Sequence, residues 1–220
     1  MNKYFNSVRR SIWVVSALCA CVSCNQAWND HYSTDYSIVP SQTIMEGIES
    51  MDGTEKFVQA LKTTNLLRGS EQLPATFYDF LNSDQYVTVW VPEEGTILDW
   101  DLYIKPNKTK AENKQVAQEF LMNHIARYNH PTTKAGSDKI LMLSNKRYQN
   151  SKNDIDGISY KSGSTDIIFK NGLVHRVSGN IVYKKNIYEF LTSEDKYKAA
   201  IGDFFAKYTR EEVDKDKSVQ

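Results

Sequence analysis

Beyond residue 24 this chain contains no cysteine; all three, Cys19, Cys21 and Cys24, fall within its first 24 residues. A folded body built from the remainder cannot be held by disulfides, so an apolar core has to carry it. The composition permits this. The chain has 220 residues, of which 40% are hydrophobic and 25% charged, enough for one domain, or a domain with a small appendage. Cys21-Val22-Ser23-Cys24 has a redox or metal spacing. No second pair and no nearby set of histidines accompanies it, so no metal or cofactor is expected.

The same cysteines end another signal. Lys3, Arg9 and Arg10 precede the apolar run Ile12 to Val22, and small residues and Cys24 follow. This is the basic, apolar, small-residue order of a secretory signal, and the run is shorter than the about 20 residues that span a bilayer. A cysteine at the cleavage point is the expected site of diacylglycerol attachment, and each buried CH₂ of such an anchor contributes roughly 0.8 kcal/mol. Cys24 is the expected lipidated residue, with Cys21, preceded by Leu18-Cys19-Ala20, as the alternative. The expected division is 1–23 signal peptide, 24–42 tether, 43–192 folded domain, and 193–220 amphipathic helix with a charged tail. Basic and acidic residues each number 27, and loss of the signal removes three basic residues and no acid. The remaining body is mildly acidic, which excludes nucleic acid and adhesion to polyanions by bulk charge.

Along the body, helical signals begin near Thr43, where Ile44 and Ile48 share a face, and Asp52-Gly53-Thr54 breaks and recaps the chain. Phe57, Val58 and Leu61 predict a second short helix, ending near Asn65, with loop from Gly69 to Pro74. Tyr86 to Val91 alternates as a strand does and stops at Pro92. Val116, Phe120, Leu121 and Ile125 fall at helical spacing, predicting one helix from Lys110 to Arg127. From Ile140 the texture changes to short strands: 140–143, 157–160, 167–169, 173–177 and 181–183. Asn171-Gly172 predicts a hairpin turn with both residues at positive φ. A short helix at 187–191 and a final helix with the apolar stripe Tyr197, Ile201, Phe204, Phe205 and Tyr208 complete the chain.

Motifs for catalysis are missing: no phosphate loop, no His-Glu-x-x-His, no Gly-x-Ser-x-Gly. His124 and His130, six apart, fall on different helical faces, so no catalytic residue is expected. Arg68-Gly69-Ser70 and Asn107-Lys108-Thr109 read as turns. Trp100 and Tyr103, in an acidic stretch outside any clear core pattern, and Tyr128 and His130, in the loop up to Pro131, are the candidate ligand-contacting residues, the alternative for Trp100 being that it covers the bottom of the core beside a loop.

Three segments together resemble the fasciclin-like domain: Thr88-Val89-Trp90-Val91-Pro92, Phe120-Leu121-Met122-Asn123-His124-Ile125, and Asn171 through Ile181. The resemblance covers roughly Thr43 to Leu191. Trp28-Asn29-Asp30-His31-Tyr32 is similar to the segment after the cysteine in fasciclin-like lipoproteins of gut Gram-negative bacteria, which are often associated with glycan uptake. Val91 replaces the family's small residue before the proline, Glu93-Glu94-Gly95 its Thr/Asn-rich cap, and Arg176 and Ser178 an apolar residue and an aspartate. Asn123 stands where many members have the tyrosine of a Tyr-His pair, so that adhesion site does not carry over. The resemblance implies an α+β fold, a small two-sheet sandwich with helices along one side, in which Pro92, His124, Asn171, Gly172 and His175 are structural. It implies adhesion, or binding of a protein or glycan ligand at the cell envelope, on an outer-membrane lipoprotein and without catalysis. An accessory subunit of an outer-membrane glycan-uptake complex is the alternative, and a glycan-cleaving enzyme a further one.

Overall fold

The computed structural model describes residues 40–134, 139–193 and 195–208. The signal segment, Cys24, Trp28 to Tyr32 and the charged run 211–217 lie outside the described residues. In chain order the elements are α1 (Ile44–Glu49), α2 (Glu55–Thr63), β1 (Asn65–Arg68), β2 (Glu71–Thr76), α3 (Phe77–Leu81), β3 (Val87–Pro92), α4 (Trp100–Tyr103), α5 (Lys110–Gln115), β4 (Ile125–Arg127), β5 (Lys139–Leu141), β6 (Arg147–Gln149), β7 (Asp154–Ile155), β8 (Ile158–Ser159), β9 (Ile167–Phe169), β10 (Gly172–Val177), α6 (Ile187–Ser193), α7 (Asp195–Tyr197) and α8 (Asp203–Tyr208). The protein is thus α+β, with several small sheets.

Short helices begin here on one device. Thr43, Thr76 and Thr109 each accept from the backbone N–H three residues on, while Glu46, Asp79 and Glu112 reach back to the cap residue's own N–H. Each box satisfies two end donors that a helix this short could not otherwise satisfy. Thr54 stands before α2 but turns its hydroxyl to the Ile48 and Met51 carbonyls instead.

The central sheet runs β4-β3-β10-β9, with β3 and β10 parallel and the outer pairs antiparallel. All six residues of β3 are buried. Val87, Val89 and Val91 face the helical core with Ile44, Phe57, Phe77, Phe120 and Val174, while Trp90 enters a second core with Tyr148, Ile155, Val177 and Ile181. The period-two pattern therefore marks two covered faces. The second layer is not a continuous sheet. It consists of the hairpins β5–β6 and β7–β8, tied on by single bridges at Ala126–Met142, Asn150–Ile155 and Tyr160–Val177.

Four expectations are corrected. The helix from Lys110 does not reach Arg127: α5 passes into a π turn at Val116–Phe120 and a 3₁₀ turn at Leu121–Asn123, then stops. Ile125–Arg127 is a strand because Ile125 and Ala126 fill opposite cores beside β3, a period-two demand that overrides helical spacing. Residues 69–74 are largely strand, since Gly69, at φ 61°, lets Arg68 pair with Glu71 across a two-residue turn. Residues 181–183 form no strand, being held by side chains instead of a ladder. Finally, the turn between β9 and β10 is Lys170-Asn171, and Gly172 is the first residue of β10, pairing with Phe169 at φ 144°. A Cβ on Gly172 would lie 1.8 Å from the Val87 carbonyl oxygen, so glycine serves close backbone approach there.

The last helices form a stack of their own. Gly202 sits so close to Leu191 that a Cβ would meet its carbonyl oxygen at 2.6 Å, and the Phe190 and Tyr197 rings are 5.5 Å apart. Glu189 ties α6 to the body through Lys146 and Tyr183. The predicted stripe is interrupted by a π turn at Lys198–Gly202. It stays largely outside: Phe204 is 62% and Tyr208 68% exposed. Among the described residues no helix is long and apolar enough to cross a membrane.

Candidate functional site

Polar residues inside the body act on the backbone. Asn171 Oδ1 accepts from Ile44 N at the start of α1, and its Nδ2 donates to the Leu81 and Ser83 carbonyls, joining three elements at one buried point. Asn123 Nδ2 donates to the Ile181 carbonyl, while its Oδ1 accepts from Ser144 and Tyr148 hydroxyls. His124 Nδ1 donates to the Phe120 carbonyl at 2.8 Å and Nε2 accepts from Ile181 N at 3.2 Å, which fixes a neutral tautomer. Burial holds its pKa down at about 4. His175 stacks on Trp90 with centroids 5.5 Å apart, accepts from Asp166 N and donates to the His130 carbonyl. Burial lowers the His175 and His130 pKa values too. Both ring nitrogens of His124 and of His175 are thereby occupied by backbone partners.

The four candidate contact residues separate. Trp100 is 5% exposed, donates its Nε1 hydrogen to the Glu94 carbonyl and packs edge-on against Tyr103 and Phe120. The expectation of an exposed contact ring at Trp100 is corrected: its acidic neighbours face solvent while the indole closes the helical core. Tyr103 stacks on Phe120 at 4.1 Å, and burial pushes its hydroxyl up to about 12. His130 is tied to the Arg127 carbonyl on the Trp90 side. Tyr128 lines a cavity.

That cavity is a groove of about 590 Å³, within the range of small-molecule sites. Its floor comes from Leu66, Leu67 and Leu73 of the β1–β2 hairpin, Phe77 and Phe80 of α3, Met122 and Leu143. The exposed residues Asp84, Gln85, Tyr86, Arg127 and Tyr128 make its rim. The rim is one hydrogen-bonded unit, because Val87 pairs with Arg127 and Tyr128 N donates to the Tyr86 carbonyl at 2.8 Å. Tyr128 has φ 67° and is 71% exposed. A bulky side chain rarely adopts that conformation, and here the Thr88 hydroxyl, donating to the Tyr128 carbonyl, holds it. Asp84, the one carboxylate in the lining, meets Lys170 at 3.3 Å.

A second cavity, about 530 Å³, lies beside Thr63, Asn65, Gln72, Lys108 and Asn113. Its polar groups address one another. Lys108 donates to Thr63 and to the Lys105 carbonyl, with burial drawing its pKa down to about 8. Asn113 and Gln72 both bond to Asn65. The groove, whose rim groups are free to turn outward, is the better candidate.

Sequence reasoning missed nearly all of the groove. By spacing alone Arg127 ends a helix and Leu73 falls in a loop. Gly69-Ser70 between Leu66-Leu67 and Leu73 was the available signal, a two-residue hairpin between apolar runs. The chain matches no family model and no curated protein sequence.

Proposed function

We propose that this chain is a cell-envelope lipoprotein, anchored at Cys24, whose fasciclin-like domain captures a ligand in the groove without chemical conversion. The observation that carries the reading is the groove itself: an apolar floor beside an exposed, conformationally strained tyrosine and an exposed arginine. Its lining holds one carboxylate, whereas glycoside cleavage needs two. The β3 strand closing on Pro92, the Asn171–Gly172 junction and the backbone-bonded His124 and His175 support the fasciclin-like assignment. A floor of leucines, phenylalanines and Met122 suits an apolar ligand portion better than a sugar, whose hydroxyls need many polar partners.

The test is ligand recovery from the envelope. Full chain isolated without denaturation should carry an extractable small molecule that Leu73→Trp, which fills the groove, loses while keeping its circular dichroism. Equal recovery by both proteins sinks the groove. Labelled palmitate incorporation abolished by Cys24→Ser tests the anchor separately; incorporation persisting in that variant and lost in Cys21→Ser moves it to Cys21.

One observation favours the accessory-subunit reading as a second role. Ile187, Phe190, Ile201, Phe204 and Tyr208 are exposed on one terminal helical stack, the kind of surface a protein partner covers. Co-isolation of an envelope protein that Phe204→Glu abolishes and Leu73→Trp spares is the expected result.

A further inference from the structure

The groove's lining is divided by chemistry, and the division names a ligand class. Every polar side chain in it comes from two adjoining stretches, 84–86 and 127–128, which the β3–β4 pairing holds together at one end. Beyond Val87 the lining side chains are aliphatic or aromatic: Leu66, Leu67, Leu73, Phe80, Met122 and Leu143. At the polar end the two charges differ in state. Asp84 has Lys170 for a counter-ion. Among the described residues the Arg127 guanidinium has no hydrogen-bond or ion partner, its carbonyl being the atom that engages His130.

We infer that the groove takes an alkyl-chain carboxylate, with the chain along the apolar floor and the carboxylate on Arg127. This rests on the groove being the ligand site. A guanidinium presents paired N–H donors that match a carboxylate, and such charge-assisted pairs are about twice as strong as neutral hydrogen bonds. A hydrocarbon tail needs no polar partner. An extended peptide would lay backbone N–H and C=O groups against a floor with no side-chain donor or acceptor, leaving them unsatisfied. A sugar would do the same with its hydroxyls.

The experiment is displacement of a neutral naphthylamine probe from purified full chain by decanoate and by 1-decanol, equal in length and different in head group. The wild-type chain should prefer decanoate by about tenfold, the scale of one charge-assisted pair. Arg127→Gln, which leaves the backbone pairing with Val87 in place and changes only an exposed side chain, should keep its fold and bring the two ligands to equality. Leu73→Trp should release the probe and both ligands. Equal displacement by acid and alcohol in wild type, with Leu73→Trp still blocking both, overturns the carboxylate and leaves the groove standing. Probe binding untouched by Leu73→Trp overturns the groove, and this inference with it.

Discussion

Asn171 and Arg127 both stand beside the first residue of β3, and their surroundings are opposite. The Asn171 amide is buried, with its oxygen and nitrogen bonded to the backbone of α1, of α3's last residue and of the turn after it. Arg127 is exposed, with a guanidinium unpartnered among the described residues and an apolar groove at its side. One residue joins the chain to itself; the other is left facing outward. Buried polar groups without partners cost about 1–3 kcal/mol each, and at the Asn171 junction both side-chain polar atoms have theirs. The rim carries no such requirement, and there a strained tyrosine and a free cation persist. The closed junction and the open rim thus flank the same residue, Val87, on its β10 side and its β4 side.

Substitutions at the closed junction should have the largest effect. Gly172→Ala forces a Cβ into the Val87 carbonyl at a φ that alanine avoids, and should destabilise by more than about 4 kcal/mol or prevent folding. Asn171→Ala leaves Ile44 N and two carbonyls unbonded and should remove roughly 3 kcal/mol, read from urea midpoints.

The histidines sharpen the contrast through pH. In the folded protein His124 titrates near 4, and burial places His175 and His130 below their ordinary value as well. The unfolded chain, near 6.5, therefore binds more protons between these values. Stability is full above about 6.5 and falls as pH drops towards 4, by roughly 3 kcal/mol from His124 alone. Denaturant titrations across that window check it, and His124→Gln should flatten the slope while lowering stability throughout.

The rim should respond in the other direction. Tyr128→Gly removes the left-handed strain and should raise stability by about 1 kcal/mol while weakening decanoate binding. A loss of stability there would mean that the loop belongs to the closed interior after all.

How much of this was readable beforehand follows the same division. Strand β3, helix α2 and the tight join ahead of β10 announce themselves, because Val87 to Pro92, Phe57 to Leu61 and Asn171-Gly172 are local patterns. The role of Gly172 was read only in part: a turn was visible, but not the close approach of Val87, which is 85 residues away in sequence. The spacing of Ile125 from Leu121 and Val116 fits a helix, and only the pairing with β3 makes it a strand. Trp100 stands among acids with no local core pattern, and its burial depends on Phe120 packing against it and against Tyr103 of the same helix. The groove is the least legible part. Its walls come from a hairpin, a helix, a 3₁₀ turn and two strand ends, none of which carries a binding motif by itself.

The most direct test of the account is methyl and amide NMR of the full chain titrated with decanoate. Shifts are expected to concentrate at Leu66, Leu67, Leu73, Met122, Arg127, Tyr128 and Leu143, saturating together, with Ile201 and the α8 helix unmoved. Shifts centred on the terminal helices, or on Trp100 and Tyr103 with the hairpin leucines silent, would contradict it.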